Sequence, residues 1–98
     1  MNIQTMMKQA QKMQKDMMEA KTEIDNMVFE GKASLVTVQM KGTKELSKVK
    51  IDTEEIEKDE IEMLEDMIIV AVNEAIKKID EITEEKMGQY TKGMPGIF

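Results

Sequence analysis

Apolar residues at Ile3, Met6, Ala10, Met13, Met17, Ala20, Ile24 and Met27 recur at intervals of three and four without a break. This is the a/d pattern of more than three heptads, and it predicts one long helix over about residues 2–26 with an apolar seam that needs a partner. No Gly or Pro interrupts the stretch between Asn2 and Asn26. Asn2 or Thr5 can cap its start. Lys8, Lys12 and Lys15 follow at i, i+4 and i+7, so they share a face roughly opposite the seam. Met7 and Met18 fall outside the seam and widen it. Methionines in such a pattern usually serve as flexible core filler, and less often as an adaptable surface for a partner.

The period then changes. Ser34, Val36, Val38 and Met40 alternate with Leu35, Thr37, Gln39 and Lys41, and Ser47, Val49 and Ile51 alternate with Lys48 and Lys50. Period-two alternation of β-branched residues predicts half-buried strands. The strands expected are about 27–32, 34–41 and 45–51, with one turn over Gly31 to Ser34 and another over Lys41 to Lys44. They form a three-stranded antiparallel meander with one face covered. An acidic connector follows, and Asp59 with Glu62 offers a capping box for a second helix over about 60–87. Ile61, Leu64, Ile68, Ala71, Val72, Ala75, Ile79 and Ile82 form its apolar stripe. The stretch Met67 to Val72 is apolar all round and is expected to be its most buried part. On that reading Val70→Asp unfolds the protein. Gly88 is expected to stop the helix, Lys86 to complement its C-terminal dipole, and residues 88–98 to form a loosely held tail. The fold class is α+β in the order α-β-β-β-α.

With no His and no Cys among 98 residues, the chain lacks the parts of a Ser-His-Asp or Cys-His nucleophile, a disulfide or a Cys/His metal site. The acids of Asp52 to Glu62 lack the central Gly of a calcium loop, and they sit where a helix dipole favours negative charge. No enzyme activity, cofactor, resident metal or small-molecule substrate is expected. The longest apolar run has six residues, far short of the ~20 needed to span a bilayer, and no signal peptide is visible. A cytoplasmic location without a membrane partner is the expectation.

The formal charge of -6 is unevenly spread. Residues 1–50 carry 9 Lys against 6 acids, whereas residues 51–98 carry 5 Lys against 14 acids. No acid precedes Asp16, so Lys8, Lys12 and Lys15 stand unopposed. Local potential is felt over about a Debye length, ~8 Å at physiological salt, so a basic arm can bind a polyanion despite an acidic total. Length adds a further constraint. A helix of this size runs about 37 Å, whereas six-residue strands span ~20 Å. The sheet cannot cover the seam, and a homodimer is the simplest remedy. The candidate dimer seam is Ile3, Met6, Ala10, Met13, Met17, Ala20 and Ile24.

The words MKQAQKMQ at Met7 to Gln14, VKID at Val49 to Asp52, EMLEDMIIVAVNEAIKKI from Glu62 to Ile79 and the closing TKGMPGIF resemble the YbaB/EbfC family of nucleoid-associated proteins. The resemblance covers nearly the whole chain as a single domain over residues 1–98. It implies a tweezer-like homodimer, with helices projecting from paired sheets, that binds DNA in the cytoplasmic nucleoid and alters its conformation with little sequence preference.

Two functions remain open from the residues. One is DNA binding through Lys8, Lys12 and Lys15, with Lys77, Lys78 and Lys86 as further candidates and Lys92 beside them. The chain has no Arg, so bidentate reading of guanine by a guanidinium is excluded and phosphate contacts carry the binding. The other is a non-enzymatic protein-interaction module that uses paired Met-rich helices.

Overall fold

The computed structural model describes residues 2–91. Helix α1 (Ile3–Asp25) is followed by strands β1 (Val28–Ala33), β2 (Val36–Lys41) and β3 (Leu46–Ile51), a 3-10 turn (Lys58–Glu60) and helix α2 (Ile61–Thr91). This is the α-β-β-β-α order expected. Asn2 caps α1, its side-chain oxygen accepting from the Gln4 N–H at 2.9 Å. The expected loose segment 93–98 and Lys92 lie outside the described residues.

The strands form an antiparallel sheet in the order β1-β2-β3, with Gly31 opposite Val38 and Val38 opposite Val49. The first turn is tighter than expected. β1 continues through Gly31 to Ala33, and only Ser34 and Leu35 connect it to β2. Ser34 takes φ 52, the left-handed conformation that two-residue hairpins require. In the second turn the Lys44 N–H donates to the Lys41 carbonyl at 2.8 Å, with Lys44 at φ 72. β3 carries an extra residue: Gln39 pairs with Lys48 and Met40 with Leu46, leaving Ser47 in the bulge. Its hydroxyl donates to the Gln39 carbonyl at 3.0 Å.

Helix α2 lies across β1 and β2. Ala71, Ala75 and Ile79 pack there on Phe29, Val36, Val38 and Met40. Gly31 permits this approach. A Cβ at Gly31 would overlap the Ala71 carbonyl oxygen and come within 2.9 Å of the Ala75 nitrogen. Two alanines on α2 and a glycine on β1 therefore bring helix backbone against strand backbone. Gly42 does the same at the other end of the sheet, where a Cβ would overlap the Ile24 carbonyl. The Gly42 N–H donates to the Met27 carbonyl at 3.0 Å and ties this turn to the end of α1.

Three expectations about α2 are corrected. Its centre is not buried all round: Ile69 is 57% and Val70 55% exposed. The sheet lies on one side of this turn only, and α1 does not reach it. A charge at Val70 therefore meets solvent in the single chain, and unfolding does not follow from it. Asp59 does not cap the helix either; it sits inside the 3-10 turn, which starts at Glu57 without a side-chain capping bond. Finally, Gly88 does not stop α2, which continues to Thr91 because nothing but a lower helix propensity opposes it.

The last turns of α1 pack on the second half of α2. Ile24 is buried beside Ile79, Thr83 and Met87, and the Lys86 ammonium meets the Glu23 carboxylate at 3.0 Å. From there α1 runs outward as an arm, and the molecule extends 70 Å along its long axis.

Gly31→Ala is expected to cost about 3 kcal/mol or more, the upper range for overpacking, because both atoms it meets are backbone. Gly88→Ala is expected to stabilise by up to about 1 kcal/mol by raising helix propensity where the added Cβ meets no described atom within 4 Å beyond its own stretch of helix backbone. Urea melts of the two variants beside wild type check both signs.

Candidate nucleic-acid interface

The arm is a helix with two unlike faces. On the seam side, burial increases along the chain: Ile3, Met6 and Ala10 are exposed, Met13, Met17 and Ala20 are half-buried, and Ile24 is fully buried. The C-terminal half of the predicted seam is thus covered within the chain, and its N-terminal half remains open. Lys8, Lys12 and Lys15 lie on the other side, exposed, and none has a carboxylate within 4 Å among the described residues. Their separation follows from helix geometry alone: residues i, i+4 and i+7 stack at about 6 and 4.5 Å of axial rise. The arm presents three uncompensated positive charges on a rigid rod.

The lysines of α2 differ from those of the arm. Lys78 donates to the Glu30 carbonyl at 2.7 Å and pairs with Glu74 at 3.4 Å. Its ammonium closes the outer edge of β1. Lys86 is held by Glu23 across the helix pair. Lys77 is exposed and has no carboxylate within 4 Å among the described residues. Of the three α2 candidates, two hold the fold together at their charged ends and one faces solvent without a counter-charge.

An apolar strip that the sequence pattern alone did not single out lies beside β3. Every residue of β3 is exposed. Cross-strand pairing puts Leu46, Val49 and Ile51 on the face shared with Met40, Val38 and Val36, the face that α2 covers on the neighbouring strands. α2 does not extend over β3. Asp80 pairs with Lys44 in the β2–β3 turn at 2.9 Å, so its stripe of α2 faces that side. Ile76 and Ile69 lie on the same stripe, four and eleven residues earlier. Leu46, Val49, Ile51 and Ile69 therefore flank an uncovered side of the body. The alternation of Val49 and Ile51 with lysines marks an apolar face in the sequence, but only the placement of α2 over β1 and β2 leaves it open.

Glu57, Asp59 and Glu60 bring carboxylate oxygens within 4.8 Å of one another at the start of α2. They are largely exposed, and the helix dipole accounts for acids in this position. No helix among the described residues is long and apolar enough to cross a membrane.

Comparison with known proteins gives a consistent result. The chain is 48% identical over 101 residues to a nucleoid-associated protein of Oceanobacillus iheyensis, covering 99% of this chain and 97% of that one. It is 45% identical over 97 residues to a nucleoid-associated protein of Lactococcus lactis subsp. cremoris, covering 97% and 98%. A nucleoid-associated protein of Ruminiclostridium cellulolyticum is 39% identical over 102 residues, covering 99% and 89%. The model of the YbaB/EbfC DNA-binding family matches residues 1–94. The helix–meander–helix order, the lysine-bearing arm and these full-length matches agree, and the chain belongs to the YbaB/EbfC DNA-binding family.

Proposed function

We propose that the protein is a nucleoid-associated protein that binds double-stranded DNA as a homodimer with little sequence preference and alters DNA conformation, with roles in nucleoid organisation or gene regulation. The observation that carries this reading is the arm: Lys8, Lys12 and Lys15 are exposed and uncompensated on a helix that projects from the body. Two arms in a dimer offer about six phosphate contacts, and such contacts release counterions whatever the base sequence. Lys77 adds to them. Lys78 and Lys86 contribute less, because each already has a carboxylate partner.

The dimer rests on uncovered apolar surface. Ile69 on α2 and Leu46, Val49 and Ile51 on β3 flank one side of the body, and Ile3 and Met6 lie along the arm. A second copy placed by a two-fold axis would cover the same strip on both protomers at once. It would also set two arms side by side as a clamp. The Met-rich interaction module is the competing reading, and exposed Met6, Met7 and Met18 favour it.

Salt dependence separates the two. Fluorescence anisotropy on two unrelated duplexes is expected to give similar affinities that weaken about 10³-fold between 50 and 200 mM salt for six phosphate contacts. Binding through an apolar groove barely responds to salt. Replacing Lys8, Lys12 and Lys15 by Gln is expected to keep helix content and lower affinity equally on both duplexes. The log–log salt slope should shrink by up to about five units. An unchanged slope in this variant would place the DNA site elsewhere. The double variant Val49→Glu and Ile69→Glu is expected to dissociate the dimer while the chain stays folded, since both side chains are solvent-exposed in the single chain. A carboxylate forced into a dimer interface costs several kcal/mol. A dimer mass by light scattering for this variant would move the interface off the strip.

A further inference from the structure

The face of the sheet turned away from α2 is also basic. Cross-strand pairing sets Lys32, Thr37 and Lys50 in one row and Glu30, Gln39 and Lys48 in the next. Val28 and Lys41 follow in a third. In β1 and β2 the residues buried under α2 alternate with these, so the named side chains lie on the open face. No helix among the described residues packs there: α2 covers the other face, and α1 packs on α2. The face carries Lys32, Lys41, Lys48 and Lys50 against Glu30 and Glu45, which lies opposite Lys41. Lys41 leans to Glu45 at 3.8 Å, whereas Lys32, Lys48 and Lys50 have no carboxylate within 4 Å among the described residues. The acidic connector beyond Asp52 leads to the start of α2, on the opposite face, where Ile56 and Glu60 border a cleft with Leu64 and Met67.

Lysines on an edge strand commonly guard against sheet-to-sheet pairing. That accounts for Lys48 and Lys50 on β3. It would serve equally for Lys32 on β1, the other edge strand, but it does not require Lys32 and Lys50 to share one row on the same face. The row spans about 10 Å from Lys32 to Lys50, and the rows are about 7 Å apart. Lys32, Lys48 and Lys50 thus form a flat triangle of positive charge within one Debye length or so, interleaved with the neutral donors Thr37 and Gln39. This surface is remote from the arm. Lys8 lies about 26 Å before the end of α1, and Lys32 lies about 13 Å further along β1. The arm and the sheet face are thus carried by different elements, α1 and the strands.

We infer that the open sheet face is a second surface for the phosphate backbone of duplex DNA, centred on Lys32, Lys48 and Lys50 and independent of the arms. This rests on the DNA-binding reading above and extends it: each dimer would contact duplex both at its clamp and at its two sheet faces.

The test is lysine-by-lysine acetylation of the full chain, read by mass spectrometry with and without a 40-base-pair duplex. Exposed Lys58, surrounded by acids, is the internal reference. Adding duplex at low salt is expected to slow acetylation of Lys32, Lys48 and Lys50 several-fold, together with Lys8, Lys12 and Lys15, and to leave Lys58 unchanged. High salt should abolish the protection. In the variant with Lys8, Lys12 and Lys15 replaced by Gln, protection of the sheet lysines should persist at higher DNA concentration. Protection of the arm lysines alone would overturn the second surface and leave the DNA-binding reading standing. No protection anywhere would overturn both. Protection of Lys32, Lys48 and Lys50 that depends on protein concentration and needs no DNA would assign the face to an acidic segment of another copy instead. As a second readout, replacing Lys32, Lys48 and Lys50 by Gln is expected to reduce the salt slope of DNA binding while arm protection is retained. An unchanged slope would count against the surface.

Discussion

The contact between Gly31 and the backbone of Ala71 and Ala75 sets the position of everything else. It is a close approach of helix to strand, possible only with no side chain on β1 and methyl groups on α2. Because α2 is drawn to β1, it covers β1 and β2 and leaves β3 bare. The same placement carries the second half of α2 past the sheet, where it receives Ile24 and fixes the root of the arm. This close approach thus helps decide which apolar surface is enclosed within the chain and which stays uncovered.

The charges are distributed on the same frame. The acids gather at the start of α2, where the dipole stabilises them, and in the connector that leads there. Among the described residues, lysines without a carboxylate within 4 Å cluster on the arm and the open sheet face, with Lys77 alone on α2 and Lys58 in the acidic connector, while Lys44, Lys78 and Lys86 are engaged in joining elements. A chain of charge -6 can therefore present cationic surfaces to a polyanion. The absence of Arg limits these surfaces to point-charge contacts with phosphate, consistent with binding that ignores sequence.

Much of the fold was legible in the residues. The seam from Ile3 to Ile24 gave α1, the alternation of Val36, Val38 and Met40 gave β2, and the stripe through Ala71, Ala75 and Ile79 gave the buried side of α2. What failed was legible only in three dimensions. Ile69 and Val70 belong to an apolar run, but periodicity says nothing of how many neighbours surround a helix, and here the sheet lies on one side. Gly31 looked like a turn residue, whereas its role is to admit a helix. Gly88 looked like a stop, but a single Gly lowers helix propensity without forbidding the helix. Of the proposed site, the exposure of the arm lysines was legible from their spacing and the lack of nearby acids. The rows of Lys32, Lys48 and Lys50 were not, because cross-strand register brings them together.

On the proposed reading, a second copy of the chain covers β3 and the open half of the seam. Sedimentation equilibrium of the wild-type protein at micromolar concentration, without DNA, measures this directly. A mass twice the 11.3 kDa of the chain is expected, unchanged between low and high salt because the interface is apolar. A mass of 11.3 kDa at both salt concentrations would contradict it. It would mean that the exposed strip of Leu46, Val49, Ile51 and Ile69 is tolerated in water or reserved for a different partner.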